Sequence, residues 1–150
     1  MPTDTQRDLF KLHRDAQDKY TYFLLTAAGA AIALAVNNTQ GAKMAWPQFP
    51  LGLAVLCWAM SFYFGCRHIG YVNSNLYTNS TLIRIQKGEE PTVGAHPQRI
   101  EAASAGIKQA MEANAEHAER LGNRQFRLLV GGGVLYVVWH VLGMYLRTRP

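Results

Sequence analysis

Three long stretches of this chain contain no Asp, Glu, Lys or Arg. They run from Tyr20 to Ala42, from Met44 to Cys66 and from Leu128 to Leu146, and each holds 19 to 23 residues. An α-helix rises about 1.5 Å per residue and the hydrocarbon core of a bilayer is roughly 30 Å thick, so each stretch is long enough to cross it. The sequence therefore predicts an all-α membrane protein with three transmembrane helices in a bundle, the spans lying at 20–36, 51–66 and 128–146.

The first span has a second interpretation, as a cleaved signal peptide, because Ala33, Leu34 and Ala35 fit a small-residue cleavage pattern. A signal peptide begins with a short positive region, whereas residues 1–19 carry four acidic and four basic side chains. We therefore expect residues 1–19 to form a helix that continues into the span. Thr3 and Gln6 fit a capping box at its start.

The distribution of charge predicts the orientation of the chain. Segments 1–19 and 67–127 hold 4 and 8 basic residues, a total of 12, whereas 37–49 and the tail 147–150 hold 1 and 2, a total of 3. The positive-inside rule then places 1–19 and 67–127 in the cytoplasm and the tail outside a bacterial inner (plasma) membrane. All 10 acidic residues lie in the two cytoplasmic segments, which leaves 12 − 10 = +2 there. With no uncompensated basic cluster, we expect the partner to be the lipid bilayer and not a nucleic acid.

The segment 67–127 is predicted to be a cytoplasmic helical stalk or hairpin. Gly88, Pro91, Gly94 and Pro97 indicate a turn at 88–97, and Pro97 suits the first position of a second helix. Small and apolar residues then recur every three or four positions and form a narrow seam suited to helix packing. We interpret this seam as a candidate interface for another helix or a cytoplasmic protein: Ile100, Ala103, Ile107, Met111, Ala115, Ala118 and Leu121.

Small residues also mark two of the spans. In lipid, helices associate where small side chains let their backbones approach, and spacing by four keeps such residues on one face. The pattern predicts close helix packing and favours a homo-oligomer, although packing within one chain would leave the same pattern. The candidate residues are Ala27, Ala31, Ala35, Gly131, Gly132 and Gly133.

His140 and Cys57 form a candidate intramembrane functional pair. Each lies six residues from the expected outer end of its span, so antiparallel helices would bring them to similar height. The alternative is that His140 belongs to an interfacial belt with Trp139 and Tyr145. One His and one Cys are too few for a metal site. Cys57 and Cys66 are nine positions apart on one helix and face opposite ways, which excludes a disulfide between them.

Neutral polar residues interrupt the apolar pattern after the second span. Asn73, Asn75, Thr78 and Asn79 could bind a small ligand or line a vestibule, or they could form the solvated side of a helix. Arg7 and His13 match a loose spacing found in some helical ribonucleases. Two residue types at a flexible spacing often match by chance, so we give that pair no catalytic role.

The chain lacks the motifs of catalytic and cofactor sites. It has no Gly-rich phosphate loop, no Cys/His metal spacing and no nucleophile with an evident base, so we predict no enzyme, no catalytic residues, no cofactor and no metal. The layout resembles that of small bacterial membrane effectors and accessory subunits. We expect a self-associating protein, in its most specific form a pore-forming or membrane-perturbing effector controlled through its cytoplasmic helices. The alternative is a non-conducting scaffold or accessory subunit that docks a partner through 67–127.

Overall fold

Helices account for all the regular structure that the computed structural model describes, in residues 4–40, 46–94 and 96–148. The helices are α1 (Asp4–Asn38), a short 3-10 helix (Trp46–Gln48), α2 (Phe49–Gln86) and α3 (Pro97–Thr148). The three α-helices are long and apolar enough to cross a membrane. This confirms the all-α prediction with three candidate spans. Thr3 and the side chains of Arg7 and His13 lie outside the described residues.

The ends of α2 and α3 follow from local backbone chemistry. Gly88 takes a φ of 70°, and the N–H groups of Gly88 and Glu89 bond the carbonyls of Ile85 and Arg84 at 2.9 and 3.0 Å. This is a Schellman motif, in which a left-handed glycine lets the chain satisfy the last helix carbonyls. Pro97 begins α3, as predicted, since its missing N–H costs nothing in a first helical turn.

The chain divides into two compact units. The first unit contains residues up to Gly65 and from Asn123 onwards, and the second unit contains residues 66–122. Both α2 and α3 contribute to each unit, because each of these helices is continuous across the division.

The first unit packs α1, α2 and α3 against one another through a small apolar core. Its fully buried members are Ala35 of α1 with Leu51, Ala54 and Trp58 of α2. Partly buried side chains of all three helices cover them: Ala31, Ile32, Val55, Leu129, Leu135, Tyr136 and Trp139. Burial at three- and four-residue steps is the pattern expected for helices packed side by side.

The second unit is an antiparallel pair formed by the end of α2 and the start of α3. Leu82, Ile85 and Ala118 are its buried apolar residues. The inner side of α3 follows the predicted seam with one departure: Ala115 is exposed, and Asn114 takes the half-buried position. Steps of four, three and four residues lead from Ile107 to Met111, Asn114 and Ala118, and this alternation keeps the inner side facing α2. A second step of four from Met111 reaches Ala115, which has turned away from α2.

Candidate functional site

Two side chains of α2 reach main-chain carbonyls of α3 in the second unit. His68 Nδ1 lies 2.8 Å from the carbonyl oxygen of Ala118, and Asn75 Nδ2 donates to the carbonyl of Met111 at 3.2 Å. A carbonyl only accepts, so Nδ1 of His68 carries the proton. The donors and the acceptors are each seven residues apart, and together they fix the register of the two helices.

An aromatic stack lies beside these bonds. The rings of Tyr71 and His117 are 5.6 Å apart with an angle of 20° between their planes. The guanidinium of Arg67 lies 5.6 Å from the centre of the Tyr71 ring. The stack joins α2 to α3, and it leaves His117 and Arg67 exposed.

The side of α2 that faces away from α3 carries an apolar strip, which we name the outer face. Its large apolar side chains are Leu76, Tyr77 and Ile83, with 39%, 77% and 47% of their surface exposed. These are all the large exposed hydrophobic residues of the second unit among the described residues. Asn73 and Ser80 lie between them on the helix surface, because residues three, four and seven apart share a side.

The predicted polar stretch is divided between half-buried and exposed positions of α2. Asn73 and Asn79 are exposed, whereas Asn75 turns inward to α3 and leaves its Oδ1 without a hydrogen bond in the described part of the chain. The hydroxyl of Thr78 donates to the carbonyl of Ser74 in its own helix. Asn75 and Thr78 therefore donate to helix carbonyls, and the side chains of Asn73 and Asn79 remain exposed.

Polar side chains also join the helices of the first unit. Ser61 Oγ donates to the carbonyl of Gln125 at 2.8 Å, and Trp58 Nε1 donates to the carbonyl of Leu129 at 3.2 Å. The side chain of Gln125 is fully buried, and its Nε2 has no hydrogen-bond partner among the described residues. It lies against Gly65, where an added Cβ would come within 2.8 Å of its Cδ. Sequence reasoning missed Ser61 and Gln125, although both continue the four-and-three spacing of their helices.

The small residues proposed for an oligomer contact pack largely within the chain. Ala35 is buried against α2, and Ala27 and Ala31 are half-buried. Gly132 lies under the ring of Trp58, whereas an added Cβ at Gly131 or Gly133 would meet nothing within 4 Å. Contacts inside one chain therefore use most of this pattern.

His140 and Cys57 are not brought together. Trp58, the neighbour of Cys57, packs on Gly132, and His140 lies eight residues further along α3, about 12 Å at 1.5 Å per residue. The expectation of similar height is wrong because it assumed that the ends of the two spans align. His140 is exposed, and the centre of its ring lies 6.4 Å from the centre of the neighbouring Trp139 ring.

The described residues contain no group of three or more His, Cys, Asp or Glu side chains arranged to hold a metal ion. Comparison with known proteins matches no family model, no curated protein and no solved structure.

Proposed function

We propose that this chain is a non-enzymatic, multi-pass membrane protein of the bacterial inner membrane that holds a cytoplasmic helical hairpin as a docking site for a partner protein. The outer face of α2 carries this proposal. It places Leu76, Tyr77 and Ile83 on the surface of a segment whose other described large apolar side chains are buried or half-buried. Clustered exposed apolar residues on a polar surface are typical of protein contact sites.

The inner seam supports the same choice. Ile107 and Met111 are half-buried in the hairpin, and the carbonyls of Met111 and Ala118 accept bonds from α2. Because α2 already occupies this seam, the hairpin offers a partner its outer face and keeps its inner one closed.

The exposed surface of α3 in the first unit favours a scaffold over a pore lined by this helix. The exposed side chains of α3 in this part are mostly aliphatic: Val130, Val134, Val137, Val138, Val141, Leu142, Met144 and Leu146. A conducting pore needs a polar or small face turned towards water, whereas apolar faces suit lipid contact.

The test is partner capture by the full chain in its native membrane. Leu76→Glu and Ile83→Glu put a charge on the outer face, and Gln109→Glu puts the same charge on an exposed position of α3. We expect a specific protein to co-purify with the wild type and with Gln109→Glu, and to be lost from the two outer-face variants while all four chains stay in the membrane. Capture that survives both outer-face charges contradicts the docking proposal.

Self-association is the second candidate, and the position of His140 favours it. The imidazole of His140 faces outward within an apolar segment and has no hydrogen-bond partner among the described residues of its own chain, and lipid offers none in the hydrocarbon region. A second copy could supply that partner. Native mass spectrometry in mild detergent tests this, since His140→Leu should lower the oligomer order and Val137→Leu, also on an exposed position, should not. Dye leakage from vesicles separates a pore from a closed oligomer.

A further inference from the structure

Two contacts in the first unit fix the level of α3 against α1. The side chains of Leu25 and Gln125 meet over Gly65, where an added Cβ would lie 2.7 and 2.8 Å from their carbons. Further along, Asn38 Nδ2 donates to the hydroxyl of Tyr136 at 2.9 Å. In these contacts a residue of α1 is paired with the residue of α3 that lies 100 positions later (125 − 25) or 98 positions later (136 − 38). The two helices therefore run parallel at a defined offset.

This offset places two arginines of α3 beside the uncharged part of α1. The same offset sets Arg124 level with α1 residues 24–26 and Arg127 level with residues 27–29, whereas Lys19 is the last charged residue of α1. Arg127 therefore lies eight to ten residues beyond Lys19 along the helix axis, about 12 to 15 Å at 1.5 Å per residue, and Arg124 lies about 8 to 10 Å beyond it. The contacts of Gly65 with Gln125 and of Trp58 with Gly132 set Arg127 level with residue 63 of α2, inside the charge-free stretch of that helix, and Arg124 level with residue 66, at the end of this stretch before Arg67.

Neither arginine has a counter-charge among the described residues. Arg124 and Arg127 are exposed and make no ion pair or hydrogen bond within the described part of the chain. They are three positions apart, so their like charges lie on one side of α3 and repel. The nearest acidic residue on this helix is Glu119, whose direction differs from that of Arg124 by about 140° at 100° per residue.

We propose that Arg124 and Arg127 form a binding site for the phosphate of an anionic phospholipid. The bound headgroup lies deeper in the membrane on this side of the first unit than the headgroups around Lys19. A guanidinium matches two phosphate oxygens in a bidentate arrangement, and two arginines one turn apart can share one headgroup. Phe126 is exposed between the two arginines, and Tyr22 is exposed on α1 two to four residues before the level of Arg124, as aromatic side chains are at headgroup depth.

A lipid phosphate fits better than the carboxylate of a partner helix. Each arginine side chain projects from the exposed surface of a single chain, where lipid headgroups reach it without any dedicated partner. The long aliphatic stem lets the guanidinium extend towards the headgroups while the stem stays in apolar surroundings. This site rests on the membrane insertion contained in the proposed function.

The experiment measures lipid retention by the full chain. The protein is reconstituted with phosphatidylglycerol and phosphatidylcholine in equal amounts and extracted in a mild detergent. Native mass spectrometry then measures which lipid stays bound. R124Q/R127Q removes the two charges, and K108Q/R147Q removes two exposed charges elsewhere. We expect the wild type and K108Q/R147Q to retain phosphatidylglycerol preferentially. R124Q/R127Q should lose this preference by about fivefold for each arginine, the attraction of one basic residue to an anionic membrane surface.

Two further arms identify the ligand. Excess inorganic phosphate should leave the lipid bound, and displacement by it would overturn the assignment to a lipid. Equal retention of the two lipids by the wild type also overturns the proposal, and it leaves the carboxylate of a partner protein as the counter-charge. An equal loss of phosphatidylglycerol preference in both double variants overturns it as well. Flotation with phosphatidylcholine vesicles reports insertion separately: a chain that floats without lipid preference refutes this site alone, and a chain that does not float refutes the proposed membrane function too.

Discussion

The indole ring of Trp58 occupies the space above Gly132 that a side chain would fill. An added Cβ at Gly132 would lie 2.6 Å from Cδ1 of this ring, and the ring N–H donates to the carbonyl of Leu129 one turn earlier. The glycine therefore lets α3 approach α2 closely enough for the indole to bond its backbone. This one contact sets both the distance and the register of α2 and α3 in the first unit.

Gly132→Ala should destabilise the first unit by about 1–3 kcal/mol, because the methyl group would displace a large ring that is itself buried. Thermal unfolding in detergent, followed by Trp fluorescence, measures the effect. Gly133→Ala is the matched control, since its added Cβ meets nothing within 4 Å and should gain helix propensity. Trp58→Phe in the Gly132→Ala background should relieve part of the loss, which a double-mutant cycle would show as coupling. Equal effects of the two alanine substitutions would contradict this account.

The long helices were predictable from sequence, and their relative levels were not. Freedom from charge over 19 or more residues and the position of Pro97 set the helix positions to within a few residues, because both act locally. The level of α3 depends on which glycine of three lies under Trp58, and spacing alone does not distinguish Gly131, Gly132 and Gly133. The expected pairing of His140 with Cys57 failed for this reason.

Gln125→Met should leave the protein as stable as the wild type or stabilise it by about 1 kcal/mol. The amide nitrogen of Gln125 is buried without a hydrogen bond in the described structure, so its replacement removes an unsatisfied donor. The bond from Ser61 is to the main chain of Gln125 and survives the change. Ser61→Ala is the contrasting variant, and it should cost about 1 kcal/mol because it removes a donor from a formed bond. A large loss in Gln125→Met would reveal a partner for its amide.

Ala118 and Ala115 should respond differently to the same enlargement. Ala118 is buried against α2, and Ala115 is exposed. We expect Ala118→Leu to cost about 1–3 kcal/mol through overpacking and Ala115→Leu to stay within about 0.5 kcal/mol of the wild type. Thermal unfolding with a probe in the hairpin compares them. A similar loss of stability in both variants would place Ala115 on the inner side of α3, where the seven-residue seam predicted from sequence put it.

The outer face of α2 illustrates a second limit of prediction from the sequence. Ile69, Val72, Leu76, Ile83 and Ile85 share a partial apolar pattern, yet Ile85 is buried against α3 while Leu76 and Ile83 are exposed. These apolar residues extend over a wide arc of α2, so that either of two faces could pack on α3. The hydrogen bonds from His68 and Asn75 identify the face that turns inward. Polar donors at seven-residue spacing are the signal that would have separated the two faces.

His68→Ala should loosen the second unit more than His117→Ala. The His68 ring bonds the Ala118 carbonyl and lies 3.5 Å from the position of a Cβ added to Gly122, so its loss removes both a hydrogen bond and packing, at about 1–3 kcal/mol. His117 is exposed and contributes a ring stack on Tyr71, worth about 0.5–1.5 kcal/mol. Hydrogen exchange of the α3 amides around residue 118 should therefore accelerate more in His68→Ala. Unchanged exchange in that variant would show that the helix register does not depend on this bond.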